Sequence, residues 1–358
     1  MADRLLAATR KGLFDLRGGA EPWSVAEVHF LGSPVSMAIK DPRDGAVYAA
    51  LDLGHFGVKL HRSDDDGATW REVATPSYAG VEGDPPPSLK LIWSLEPGGA
   101  EEPGVLWAGT LPGGLFRSPD RGESWSLVRS LWDDPKRLQW FGGGYDMPGI
   151  HSICVDPRDS RHVALGVSCG GVWETRDGGQ TWTLGGEGMR AEYLPPDQVD
   201  EPETQDAHRM MHCPAAPDEY WVQHHNGVFR STAGVSAWRE IRPTTHSAFG
   251  FAVAVHPTDP RRAWFAPAVK DELRIPADGR VVVARTSDDG ASFEVFSEGL
   301  PQEQAYDLVY RHGLVVDETG ETLALGSTTG GLWTSADGGE SWRAARTRLP
   351  PIYALRFA

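Results

Sequence analysis

The chain has little cysteine, no long apolar run and no cluster of positive charge, and each shortage removes a class of protein. Its three cysteines, Cys154, Cys169 and Cys213, are odd in number and lie in strand-like surroundings, which suits reduced thiols better than a disulfide framework. The longest apolar stretch, FGFAVAV at 249–255, is too short to cross a bilayer. The opening residues, MADRLLAATRKGLFDL, lack the apolar core of a secretory signal, so the expected location is cytoplasmic. Fifty acidic residues against 34 basic ones give a formal charge of −16, which opposes phosphate backbones and anionic lipid surfaces. Neither nucleic acid nor membrane is therefore an expected partner. With 40% hydrophobic and 23% charged residues over 358 positions, the chain reads as globular rather than disordered.

What the chain has in abundance is one turn. SDDDGATW at 63 returns as SPDRGESW at 118, TRDGGQTW at 175 and SADGGESW at 335, with relaxed copies TSDDGASF at 286, STAGVSAW at 231 and LRGGAEPW at 16. The seven starts are 47 to 57 residues apart, a period that marks a repeat architecture. Each unit reads as four short strands. Residues 150–184 show the plan: IHSICVDP, HVALGV and GGVWET alternate apolar positions, the acidic turn follows, and WTL begins a fourth strand. Four antiparallel strands repeated radially make a propeller blade. The chain starts at a second strand, RLLAAT, and its last segment, IYALRF, reads as a first strand, so the two ends complete one blade. The expectation is an all-β, seven-bladed propeller of four-stranded antiparallel blades, closed by pairing of the C-terminal strand with the N-terminal blade, with residues 1–358 as a single domain. In each turn the aspartate accepts hydrogen bonds from turn donors, glycine permits positive φ and the aromatic residue fills the gap between sheets, so these aspartates are read as structural.

The motif and its strand context resemble the Asp-box (BNR) repeats of the sialidase-like superfamily, over essentially the full chain. That superfamily spans sialidases, xyloglucan-cleaving glycosidases, sortilin-type receptors and photosystem II assembly factors, so the resemblance implies the fold and leaves enzyme and binding protein both open. True sialidases are similar to one another in a Phe-Arg-Ile-Pro motif near the start of a six-bladed propeller. Here LRIP occurs at 273–276, in a loop of the sixth blade, and Arg274 is not carried over as their substrate-clamping arginine.

Strand order places the acidic turns on the bottom face. The long crossings 75–88, 130–149 and 185–207 and the inner loop 267–280 then lie on top, and loops of such length usually carry function. Of 14 tryptophans only Trp132 and Trp140 fall in these loops, either as anchors or as sugar-stacking surfaces. Aligning the inner strands puts His151, His208 and Tyr306 at the channel mouth, with Arg209 and Asp307 just behind, and the neighbouring loop tips add Arg10, Cys169, His224 and His225. A glycosidase needs two carboxyl groups flanking the scissile bond. Glu82, Asp84, Asp206, Asp271 and Glu272 are on the top face, but Asp146 in GGGYDMPG and Asp307 rank first because they lie nearest the channel, with Asp206 next.

The leading expectation is a glycoside hydrolase-like enzyme acting on a small glycan or polyhydroxylated metabolite. Asp146, His151, His208 and Asp307 take acid–base roles, while Arg10, Trp140, Tyr145, Arg209, His224, His225 and Tyr306 hold the substrate. No cofactor is required. Two alternatives stay open: a non-catalytic scaffold whose top loops grip a protein partner, and a metal-dependent enzyme binding a divalent transition metal at His151, Cys169, His208, His224 and His225.

Overall fold

The computed structural model describes residues 2–19, 22–83, 85–242 and 247–358; Asp84, one of the acidic candidates, lies outside the described residues. Seven antiparallel sheets form the blades of a closed propeller. The first joins Ile352–Phe357 to Arg4–Thr9, Gly12–Arg17 and Ser24–His29. Blade two runs through Val35–Lys40, Val47–Asp52, Val58–Ser63 and Arg71–Val73, and blade three through Leu91–Pro97, Leu106–Leu111, Leu115–Ser118 and Ser126–Leu127. Blade four comprises Gly149–Val155, Val163–Ser168, Gly171–Thr175 and Thr183–Gly185; blade five comprises Ala207–Cys213, Ala216–His224, Gly227–Ser231 and Arg239–Ile241. In blade six Gly250–Val255, Ala263–Lys270, Val283–Thr286 and Glu294–Phe296 are joined by Leu273–Pro276, which pairs with the second strand. Blade seven holds Leu314–Val316, Leu323–Gly326, Leu332–Ser335 and Arg343–Ala344.

Closure follows the expected route. The C-terminal strand pairs antiparallel with Arg4–Thr9, from Leu5 opposite Phe357 to Thr9 opposite Ile352, and removes the edge that an open ring would expose. The inner strands are buried on both faces, which is why they read as continuous apolar runs such as Gly250–Val255 rather than as strict alternation.

Five of the repeated turns share one hydrogen-bond scheme. In the first, Asp65 accepts from the Thr69 N–H (2.8 Å) and hydroxyl (2.6 Å), while Ser63 Oγ donates to Asp65 and accepts from the Gly67 N–H. The same bonds recur around Asp120, Asp177, Asp288 and Asp337. These bonds, the Thr69 hydroxyl's first, hold the Asp65 carboxyl down at about 2, so the turn keeps its acceptor charged.

One inner strand differs from expectation. In QAYDLVYRHGLVV the alternating segment at 305–310 suggests that Tyr306 and Asp307 head the inner strand of blade seven, but the strand that pairs is Leu314–Val316. The preceding residues form a loop held by Gly313 N–H to Tyr310 C=O and Leu308 N–H to Tyr306 C=O bonds. That slip brings Arg311 and His312, instead of Tyr306 and Asp307, to the channel. Among the described residues, no helix is long and apolar enough to cross a membrane.

Candidate functional site

The top end of the channel opens into a cleft of about 290 Å³ between blades four to seven. Its floor is the head of blade five, Asp206 and His208. Its walls are the glycine loop Phe141–Gly144, Cys169, Tyr193, His225, Phe251, the Asp271–Arg274 turn and Arg311. Local chain geometry brings these groups together. Asp206 and His208 lie two residues apart at the start of an inner strand, and His225, at the tip of the next hairpin, is tied to the same place by its N–H bond to the Asp206 carbonyl (3.0 Å). Cys169 sits at the tip of the blade-four hairpin with φ 47°, and its N–H donates to Asp206 Oδ1 at 3.1 Å.

Asp206 is the electrostatic centre. Burial alone would favour its neutral form, but the surrounding cations and donors win. His208 Nε2 at 3.2 Å, His225 Nδ1 at 3.5 Å and the field of Arg311 hold its pKa well below the usual carboxylate range. His208 is fixed on every side: its Nδ1 lies 2.6 Å from the Gly250 carbonyl and its ring stacks on Phe251 at 4.5 Å. Burial pulls its pKa down, against the pull of Asp206.

Arg311 is only 5% exposed, spread over Trp93 at 4.8 Å and Phe251 at 5.5 Å, and its Nε and Nη2 have no hydrogen-bond partner among the described residues. A buried guanidinium with free donors beside a cleft is poised for an oxygen-rich or anionic ligand. Arg274, bonded to Asp271 at 2.6 Å, adds a second guanidinium to the lining, over the same Phe251 ring at 5.7 Å. The glycine loop approaches closely enough that a Cβ on Gly143 would stand 2.6 Å from Cys169 Sγ, and one on Gly144 would stand 3.3 Å from Arg311 Nη2.

The expected residues divide sharply. Of the four catalytic candidates only His208 lines this cleft. His151 is fully buried beneath it, with Nδ1 2.9 Å from the Ser152 hydroxyl and its carbonyl accepting from His312 Nε2 and Arg209 Nη1. Asp307 accepts from the Ser327 hydroxyl at 2.9 Å and from that of Thr329, and borders a separate small hollow against Val281 and Val309. Asp146 is exposed on the glycine loop and does not line the cleft. The expected pairing of Asp146 or Asp307 with His151 or His208 is therefore not assembled in this cleft, and His151, His208 and Asp307 share no cavity.

The expected substrate-holding residues need similar correction. Arg209 points down, into a second cavity of about 610 Å³ at the bottom of the channel, and His151, Arg209 and His312 separate the two cavities. Trp140 is 7% exposed and packs edge-on against Trp173 at 5.6 Å, an anchor for its loop rather than a stacking platform. His224 turns inward against Phe229 at 5.2 Å and accepts the Asn226 N–H, which separates it from His225 and from the expected His/Cys cluster. Tyr306 is 63% exposed on its loop, and Arg10 is exposed near Tyr353. Tyr145 is half-exposed over Trp93 at 5.1 Å, outside the cleft lining but within the field of Arg311. His225 is in the cleft as expected. Arg311, between Tyr310 and His312 in a segment without a motif, carried no signal in the sequence and was missed for that reason.

No family model matches the chain. Among curated proteins, xyloglucanase Xgh74A from Acetivibrio thermocellus is 37% identical over 152 residues, 38% of this chain and 16% of the relative. An oligoxyloglucan-reducing end-specific xyloglucanase from Emericella nidulans is 28% identical over 159 residues, 40% of this chain and 18% of the relative. The chain thus spans about a sixth of the length of the curated relatives it matches. Among solved structures, an ancestral GH74 enzyme superposes with a TM-score of 0.61 at 17% identity, covering 86% of this chain and 38% of that one. YCF48 bound to a D1 peptide superposes with a TM-score of 0.53 at 15% identity, covering 87% and 82%. At such identities the superpositions show a shared propeller fold, and the sequence similarity is to a portion of glycosidases.

Proposed function

We propose that the top-face cleft is the active site of a carbohydrate-active, glycosidase-like enzyme. The observation that carries this reading is Asp206: a buried carboxylate kept anionic at the floor of a cleft whose wall presents unpartnered Arg311 donors. An anion in that place stabilises the positive charge that grows on a sugar ring as its glycosidic bond breaks, or takes a proton from the attacking water. Asp271, paired with Arg274, and Glu272, paired with Lys270, line the same cleft from the blade-six turn and are the candidates for the second carboxyl that glycoside cleavage requires. His225, partly exposed beside Asp206, is placed to move a proton. The partial similarity to xyloglucanases supports the same chemistry.

A cleft of about 290 Å³ is at the small end of ligand pockets, which favours a terminal sugar residue or a compact polyhydroxylated ligand over an extended chain. The test is a panel of gluco-, xylo- and uronic-acid oligosaccharides, read by thermal unfolding and by release of reducing sugar. A bound sugar at 100 times its Kd should stabilise the fold by about 2.7 kcal/mol. Asp206→Asn should abolish turnover. A panel that neither stabilises the protein nor is cleaved overturns the reading in favour of a protein-binding scaffold.

A further inference from the structure

We propose that Asp206 Oδ2, His208 Nε2 and His225 Nδ1 form a binding site for one divalent first-row transition ion, whose remaining coordination positions open into the cleft. The inference rests on the reading of the cleft as a ligand site but changes two roles in it, since with an ion bound Asp206 and His225 are ligands rather than a free anion and a proton carrier, and it stands on geometry of its own.

The first support is spacing. The three ligand atoms lie within 4.8 Å of one another, with Oδ2 3.2 Å from His208 Nε2 and 3.5 Å from His225 Nδ1. Bonds of about 2.0–2.2 Å to a common ion place neighbouring ligand atoms roughly 3.0–3.6 Å apart, so the two edges already have the required length. The second is the tautomer of His208. The Gly250 carbonyl 2.6 Å from Nδ1 can only accept, so Nδ1 carries the proton. Nε2 therefore points at Asp206 Oδ2, 3.2 Å away, and a metal ion set between them would be held by both atoms at once.

The surrounding bonds have the form expected of groups that orient metal ligands. Asp206 Oδ1 is engaged by the Cys169 N–H at 3.1 Å and the Ser168 hydroxyl at 3.4 Å, which leaves Oδ2 for the ion. His208 is clamped by Gly250 and Phe251, and His225 is held by its backbone bond to Asp206. Asp156, His162 and Asp218, the other such group among the described residues, lack this character. Both ring nitrogens of His162 bond carboxylates, Asp156 at 2.8 Å and Glu174 at 2.7 Å, and Arg158 pairs with both Asp156 and Asp218. That group is a self-neutralised ion-pair network.

Two imidazole nitrogens and one carboxylate suit zinc, iron or manganese in the divalent state rather than calcium or magnesium. Three protein ligands leave room for water or for a pair of substrate oxygens, and an ion there would carry a net positive charge beside the free donors of Arg311. Both features favour a hydroxyl-rich or anionic ligand.

The experiment uses the full chain, stripped with a chelator, dialysed, and titrated with Zn²⁺ alone by calorimetry, with Co²⁺ as a visible-absorption probe. The expected result is about one equivalent bound per chain, with a Co²⁺ spectrum of nitrogen and oxygen ligation. Asp206→Asn and His225→Gln should each weaken binding by at least about tenfold, and Asp218→Asn, in the ion-pair network, should leave it unchanged. His225 lies at the rim of the cleft, so its variant keeps the test informative if changes at the buried Asp206 impair folding. Failure of the unmutated protein to bind stoichiometric Zn²⁺, or binding indifferent to both variants, overturns the proposal. Sugar binding without metal binding would overturn the metal site and leave the glycosidase reading standing; metal binding without sugar binding would do the reverse.

Discussion

At the scale of single residues, Arg311 pits stability against function. Its guanidinium is buried and burial pulls its pKa down; Asp206 and the rings of Trp93 and Phe251 offset part of that cost, but two of its nitrogens have no hydrogen-bond partner among the described residues, so part of the desolvation cost stays unmet. Arg311→Met keeps the length and the apolar contacts with Trp93 and Phe251 while removing the charge. The variant should unfold at the same or a higher urea concentration, by about 1–3 kcal/mol of relief, and should lose at least about tenfold in affinity for whatever ligand stabilises the native protein. A fall in stability with unchanged ligand affinity would show that Arg311 is structural. Arg311 did not stand out in the sequence, because a buried charge and a solvated one look alike there. Asp206 ranked only behind Asp146 and Asp307 among the acidic candidates, and the fold reverses that order because Asp206 alone of the three meets His208, His225 and the Cys169 N–H. His208 and His225 were legible because histidines at the head of an inner strand and at the next hairpin tip converge in any propeller.

At the scale of elements, the blades were legible and the loops were not. Five of the seven blades repeat the same turn chemistry, from Ser63 and Asp65 through Ser335 and Asp337, and local hydrogen bonds of that kind need no tertiary context to be read. The inner strand of blade seven was misread because YDLVY alternates like a strand, whereas Leu314–Val316 is too short to announce itself. The top loops have no period at all, so the inward turn of Trp140 and the placement of Phe141–Gly144 over the cleft come from packing alone. That loop can be tested as a unit. Gly143→Ala puts a methyl group 2.6 Å from Cys169 Sγ and 2.8 Å from Ser168 Oγ, and both contacts lie on the side of the loop that closes the cleft. The loop must lift, so ligand affinity should fall by about tenfold or more while the unfolding midpoint moves little, since the clash reaches only Ser168 at the top end of its strand and the rest of blade four is untouched. Equal losses in stability and binding would instead mean that the loop is part of the core.

At the scale of the whole molecule, the ring is closed by one strand, and that strand also touches the channel. Ile352–Phe357 pairs with Arg4–Thr9 on one side, while the Leu355 N–H bonds the His312 carbonyl at 2.9 Å on the other. Arg356 pairs with Glu96 across the lower cavity. Ile352 and Leu355 are at most 3% exposed, and at about 1.5–3 kcal/mol for each large buried side chain the strand's removal costs on the order of 5 kcal/mol before the lost strand pairing is counted. That is a large share of the roughly 5–15 kcal/mol that holds a typical domain together. Deleting residues 351–358 should therefore leave a protein that unfolds in a broad, non-cooperative transition, with Leu5 and Ala7 on an exposed edge. A synthetic peptide of the deleted sequence, added in excess, should pair with that edge and restore a sharp transition, as strand addition does at other open sheets. Because His312 donates to the His151 carbonyl in the partition between the two cavities, ligand binding at the top cleft should return with the same peptide concentration dependence as the fold. A truncated chain that melts as sharply as the intact one would show that the blades are stable without the closed ring.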